Sequence, residues 1–194
     1  MHPRTLFVVA DIDDYTANKL VVALLHLNAV DPDLPISLVI DSRGGSITAG
    51  LMIYDTIKYI TAPVSTVCLS VAESMAAFLL AAGRKGERLA MPHSRIVIEQ
   101  PIGETERRQA SDLLIETNEM GFTRRKINEC MAEMTGQTIQ KIANDTDRRY
   151  HLSPSDAVKY GLIDHVITTP PKSLVPDPDY NPLIEPGALD FSFL

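Results

Sequence analysis

From Val71 to Ala82 the chain reads VAESMAAFLLAA, a serine followed by a helix-forming run that is apolar on nearly every face. A helix without a polar side cannot lie on a surface, so it must be covered all round. That requirement demands layers on both sides of it, and the flanking sequence supplies them. Thr5 to Ala10 (TLFVVA) reads as a strand, followed by a helix in which Asp13 and Asp14 suit the N-terminus and Leu20, Ala23, Leu24 and Leu27 form a buried stripe. PISLVID is a second strand, Gly44-Gly45 a tight turn, ITAGLMIYDTIKYI an amphipathic helix and VSTVCL a third strand. Strand and helix alternate three times, which predicts an α/β domain with a largely parallel inner sheet.

The second half is less regular. AGRKGERLAMPHS reads as a loop, RIVIE as a buried strand and PIGETERRQ as a polar, strand-length segment. A long helix follows from about Ala110 to Met134, with Leu113, Leu114, Met120, Ile127, Met131 and Met134 as its apolar stripe. It is too long for one compact core to cover, so it is expected to project and dock on a partner subunit. Gly136 ends it and TIQKIANDT begins a shorter helix. In LSPSDAVKYGLIDHVI, Ser153 is an N-cap with Asp156 in capping-box position, Gly161 a C-cap, and a short strand closes the pattern. Six prolines between Pro170 and Leu194 leave no periodic pattern, so this tail is expected to be extended, disordered or wrapped on a neighbour.

At 194 residues and 45% hydrophobic content, one domain with a substantial core is expected. A net charge of −7 argues against nucleic acid or an anionic membrane as partner. No apolar run approaches the ~20 residues that span a bilayer. No signal or transit peptide is visible at the start, although a trimmed targeting segment is compatible with a chain that opens so directly on a strand. Cys68 and Cys130 are isolated and the five histidines do not cluster, so neither a metal nor a cofactor is expected.

Ser74 carries two readings. It can be a plain N-cap for the apolar helix, or a nucleophile at a strand-to-helix turn. The Gly44-Gly45 turn, one strand–helix unit earlier, favours the second, because two glycines let backbone N–H groups face a cleft unobstructed. Such a serine needs a base of pKa near 7. The strand RIVIE delivers Glu99 there, and a carboxylate with an ordinary pKa of ~4.3 is a poor acceptor for a serine proton at pH 7.

DSRGGSITAGLMIYDTIKYI, ESMAAFLLAAGRKGERLAMPHSRIVIEQP, AEMTGQTIQKIANDTDR and LSPSDAVKYGLID together resemble the ClpP family of barrel-forming serine proteases, from about Thr5 to Val166. The resemblance implies the ClpP/crotonase fold of stacked, repeated β-β-α units, with a projecting handle helix and assembly into heptameric rings that pair through that handle. It makes residues 1–168 the ClpP-like domain, with the handle at about 102–135, and 169–194 a proline-rich C-terminal extension. The family's nucleophile matches Ser74, its oxyanion amides match Gly45 and Met75, its histidine base falls on Glu99, and its orienting aspartate falls on Arg149.

Two of three triad positions are therefore replaced, and loss of even one typically costs ~10⁴ in turnover. Glu73, Ala76 and Arg43 also depart from the family's residues around the nucleophile and the glycine turn. GETERRQ replaces a glycine-rich substrate-binding strand, and Ser37 and Val39 stand where the family carries chaperone-docking aromatics. These features resemble ClpR, the proteolytically inactive ClpP-like subunits of photosynthetic organisms. The implied partners are active ClpP and other ClpR subunits in a mixed ring, the opposite ring, and an AAA+ Clp chaperone through the assembled core. The implied location is the plastid stroma, or alternatively a cyanobacterial cytoplasm. An ion pair within ~4 Å between Glu99 and Arg149 is expected.

Two other readings compete. One is an active hydrolase with an unusual base, for which Glu99, His93, His151 and Lys85 are the candidates. The other is a crotonase-type enzyme acting on an acyl-thioester, since that fold shares the oxyanion-hole architecture.

Overall fold

The computed structural model describes residues 4–101 and 109–168. Most of GETERRQ and the whole proline-rich extension lie outside the described residues. In chain order the first elements are β1 (Thr5–Val8), α1 (Asp14–Val30), β2 (Ile36–Ser42), α2 (Ile47–Tyr59), β3 (Val64–Glu73) and α3 (Met75–Ala81). There follow β4 (Arg88–Ala90), β5 (Arg95–Ile98), α4 (Ala110–Thr135), α5 (Ile139–Asp145), β6 (Tyr150–Leu152), α6 (Pro154–Tyr160) and β7 (His165–Val166).

The strands β1, β2, β3, β4 and β7 lie side by side in that order and run parallel. The α/β architecture with a mostly parallel sheet is thus the one expected. Its strands read as near-continuous apolar runs because both faces of a parallel sheet are covered. Every residue of α3 is buried, as its lack of a polar face requires. Tyr54 of α2 packs on Phe78 of α3 with ring centroids 4.9 Å apart.

The third strand runs further than expected, through Ser70 to Glu73. A register shift between Ile40 and Ser42 interrupts the β2–β3 ladder there. The Asp41 side chain closes the gap, accepting from Ser70 Oγ at 2.5 Å and from the Val71 N–H at 3.2 Å. The extra length lets β3 serve two partners. Thr66 to Cys68 pair with β4, and Val71 to Glu73 pair with β5. The sheet therefore forks, and β5 carries its C-terminal end toward the top of α3.

Two strands fall where none was expected. The first, β4, lies inside the segment read as a loop, because Arg88 is a buried residue and not a solvated one. The residue is 3% exposed, and its guanidinium pairs with Asp164 at 2.8 Å while also donating to the Met134 carbonyl at 2.9 Å. The second, β6, pairs antiparallel with β5, setting Ile96 against Leu152 and Ile98 against Tyr150. Both are three residues long, and each is made by its neighbours rather than by local propensity.

Buried Arg4 ties β1 to the end of α1. It donates to the carbonyls of Leu27, Asp31, Leu34 and Pro35 at 2.8–3.2 Å, satisfying groups that a helix C-terminus leaves open. The 26 residues of α4 extend ~39 Å at 1.5 Å per residue. Its buried residues, Ile127, Asn128, Met131 and Met134, all lie in the C-terminal half. Leu114, Ile115 and Phe122 are exposed, so the apolar stripe outruns the core. No helix among the described residues is long and apolar enough to cross a membrane.

Candidate functional site

Ser74 is the single residue between β3 and α3, with φ 53° and ψ −123°. It is the one non-glycine residue at positive φ among those described. Such a conformation costs ~1–3 kcal/mol and persists only where its surroundings enforce it. Here the Ser74 N–H donates to the Val97 carbonyl at 3.0 Å and its own carbonyl accepts from Phe78 at 3.1 Å. The capping reading does not hold. Asp13, Ser46, Thr138 and Ser153 each accept a helix N–H through the side chain, whereas Ser74 makes no such bond. Its hydroxyl makes no cap bond among the described residues, and Ser74 lines a cleft.

The glycine turn packs directly on this elbow. A β-carbon on Gly44, at φ 97°, would lie 2.7 Å from the Glu73 carbonyl oxygen, 2.9 Å from Ser74 Cβ and 3.1 Å from Met75 N. Only glycine permits that approach. Gly45 is pinned from behind by Ile12, which donates to the Gly44 carbonyl at 2.8 Å and accepts from Ser46 at 2.7 Å. Neither the Gly45 nor the Met75 N–H has an acceptor among the described residues. This leaves two open donors flanking the serine, the arrangement that a developing oxyanion requires.

The third part of the site is ionic. The β5–β6 register, continued one step past Ile98 and Tyr150, sets Glu99 opposite Arg149. The turn before β6 is held by the Gln100 N–H, which donates to the Thr146 carbonyl at 2.9 Å. Arg149 Nε lies 3.3 Å from Glu99 Oε2, within the expected distance. The same guanidinium reaches Glu73 more closely, with Nη2 2.6 Å from Oε2. Arg95 approaches Glu73 from the other side at 4.0 Å. The two carboxylates are 12% and 14% exposed and Arg149 53%, so the cation forms a half-open lid over a nearly buried acidic pair. A carboxylate committed to a guanidinium is a weak acceptor for a serine proton.

The cleft beside Ser74 has a volume of about 230 Å³, with an apolar floor from Ile47, Phe78, Ile98 and Met131. Glu99, Gly45 and Met75 line it, together with Arg43 and Asn128. None of the other candidate bases reaches it. Lys85 lines a different cavity and lies 3.5 Å from the Glu133 carbonyl. His151 receives Arg95 on Nδ1, at 3.0 Å from Nη2. His93 is exposed on the loop between β4 and β5. Among the described residues no three His, Cys, Asp or Glu side chains converge as a metal site would require.

Sequence reasoning missed two things here. Glu73 was legible as a departure from the family pattern but not as a partner of Arg149, because the parallel β3–β5 pairing that aligns them is non-local. Asn128 carried a visible signal, a polar residue within the buried stripe of α4.

Comparison with known proteins gives a consistent result. A family model described as Clp protease matches residues 1–170. The ATP-dependent Clp protease proteolytic subunit 2 of Prochlorococcus marinus (strain NATL2A) is 54% identical over 170 residues, covering 88% of this chain and 85% of its own. The ATP-dependent Clp protease proteolytic subunit 3 of Synechococcus sp. (strain CC9902) is 53% identical over 167 residues, covering 86% and 84%.

Proposed function

The chain belongs to the Clp protease family, and on that premise we propose that it is a proteolytically inactive, ClpR-like subunit that completes rings of a Clp protease core. The observation that carries this reading is Glu99 paired with Arg149, which also holds Glu73, beside a cleft whose described lining contains no histidine. Ser74, Gly45 and Met75 keep the shape of a nucleophile and oxyanion site. Glu99 and Arg149 remove the proton acceptor and its orienting group, and acyl transfer stops without them.

In this reading residues 1–168 form the subunit domain and 169–194 an extension. The subunit sits in a heptameric ring with active ClpP and other ClpR-type subunits, and the exposed apolar half of α4 packs on the opposite ring. An AAA+ Clp chaperone engages the assembled core. On this chain the position of the docking aromatics is taken by Val39 and by Ser37, whose Oγ lies 3.0 Å from Ser65 Oγ. The cyanobacterial relatives support a cyanobacterial cytoplasm over the plastid stroma as its location.

The test is active-site labelling of the intact complex with a fluorophosphonate, followed by peptide mass spectrometry. Adducts are expected on active ClpP subunits and none on Ser74. A stoichiometric Ser74 adduct would show an active subunit with a non-standard base and overturn the proposal.

A further inference from the structure

Among the described residues, one cation at the cleft stands outside the ionic network. Arg149 is engaged by Glu73 and Glu99, and Arg95 by Glu73 and His151. Arg43 lines the cleft beside Ser74, is exposed, and has no carboxylate partner among the described residues. A second polar group is also left open. Asn128 is 5% exposed, lines the cleft, and its side-chain amide bonds to nothing among the described residues. The Ser74 hydroxyl and the Gly45 N–H add two further open donors.

A guanidinium, an amide, a hydroxyl and a backbone N–H around a small apolar floor describe a site for an anionic group carried on an apolar side chain. We propose that the cleft binds the free C-terminal carboxylate of a peptide ending in an apolar residue, with Arg43 as the charged anchor. The inference rests on the inactive-subunit reading, because a carboxylate presents no leaving group and this serine has no base, so capture is reversible and no bond changes. Planar, two-pronged hydrogen bonding by Arg43 matches a carboxylate and not the neutral amide of an uncut chain. The site therefore senses cut peptide, which active neighbours in the same chamber would release.

The test uses the intact complex with its active serines first blocked by a fluorophosphonate. Binding of N-acetyl-leucyl-leucine is compared with that of its C-terminal amide by saturation-transfer NMR, in complexes carrying this chain or its Arg43→Ala variant. Arg43 is exposed, so the variant is expected to fold and assemble. The acid is expected to bind at least ten-fold more tightly than the amide, and R43A to abolish that preference while leaving amide binding unchanged. Equal binding of acid and amide, or an acid preference that survives R43A, overturns this inference alone. A Ser74 adduct in the blocking step overturns the inactive-subunit reading instead.

Discussion

Arg149 lies nearer to Glu73 than to Glu99, with Nη2 2.6 Å from one carboxylate and Nε 3.3 Å from the other. The two acids come from different strands, β3 and β5, and the guanidinium is the link between them. Glu99 is thus tied, through Arg149, to the residue that precedes the serine.

This geometry predicts a coupled loss on mutation. Arg149→Ala leaves two nearly buried carboxylates facing each other and is expected to cost ~1 kcal/mol, modest because the arginine is half exposed. Adding Glu99→Gln to that variant should recover part of the cost. A urea-unfolding cycle over the four species checks it, with a coupling of ~0.5–1 kcal/mol expected.

Ser74 predicts an unusual ranking of substitutions. Its side chain caps nothing, so Ser74→Ala should change stability by less than ~0.5 kcal/mol. Ser74→Gly relieves a positive φ and should stabilise by ~1 kcal/mol, against the usual penalty for glycine. A true N-cap would give the opposite order, with a loss of ~1 kcal/mol on changing to alanine. Thermal unfolding of the two variants decides between these outcomes.

Asp164 makes stability pH-dependent. Burial alone would raise its carboxyl, but hydrogen bonds from the Arg88 side chain and backbone and from the Gly86 N–H outweigh that and hold it below the usual carboxylate range. A lowered folded-state pKa contributes stability that is present above the unfolded value near 3.8 and is lost as pH falls through the folded one. Asp164→Asn should therefore destabilise by ~1–3 kcal/mol at pH 7, and the gap should narrow below pH 4. Urea titrations at pH 7, 5, 4 and 3 measure both.

The two cysteines should differ in reactivity. Burial pushes the Cys68 thiol up to about 11, against a smaller opposing effect from the Ser94 hydroxyl. Iodoacetamide at pH 8 should spare Cys68 in the native protein, while partly exposed Cys130 is alkylated first. Mass spectrometry after brief labelling, with and without urea, gives the comparison.

Much of the fold was legible because its signals are local. The all-apolar α3, the Gly44-Gly45 turn and the caps at Asp13, Ser153 and Gly161 each follow from a few neighbouring residues. The strands β4 and β6 escaped because three residues cannot announce a strand whose partners lie far along the chain. The segment around Arg88 read as a loop because a charged run is normally outside, and the distant Asp164 and Met134 carbonyl are what hold Arg88 in. At the site, the family resemblance suggested that Glu99 and Arg149 would meet. The third member, Glu73, required knowing that β3 outlasts β4 and turns to β5. Arg43 and Asn128 emerged only once the cleft had walls.

The pairing of Arg88 with Asp164 also sets a schedule. The guanidinium is buried in β4, yet its counter-ion arrives 76 residues later, beside β7. At ~5–20 residues per second on a ribosome, that separation is roughly 4–15 s of synthesis. Throughout that interval the nascent chain holds an edge it cannot close and a cation it cannot neutralise. The cleft around Ser74, whose walls include α4 and the turn before β6, is therefore among the last features of the subunit to form.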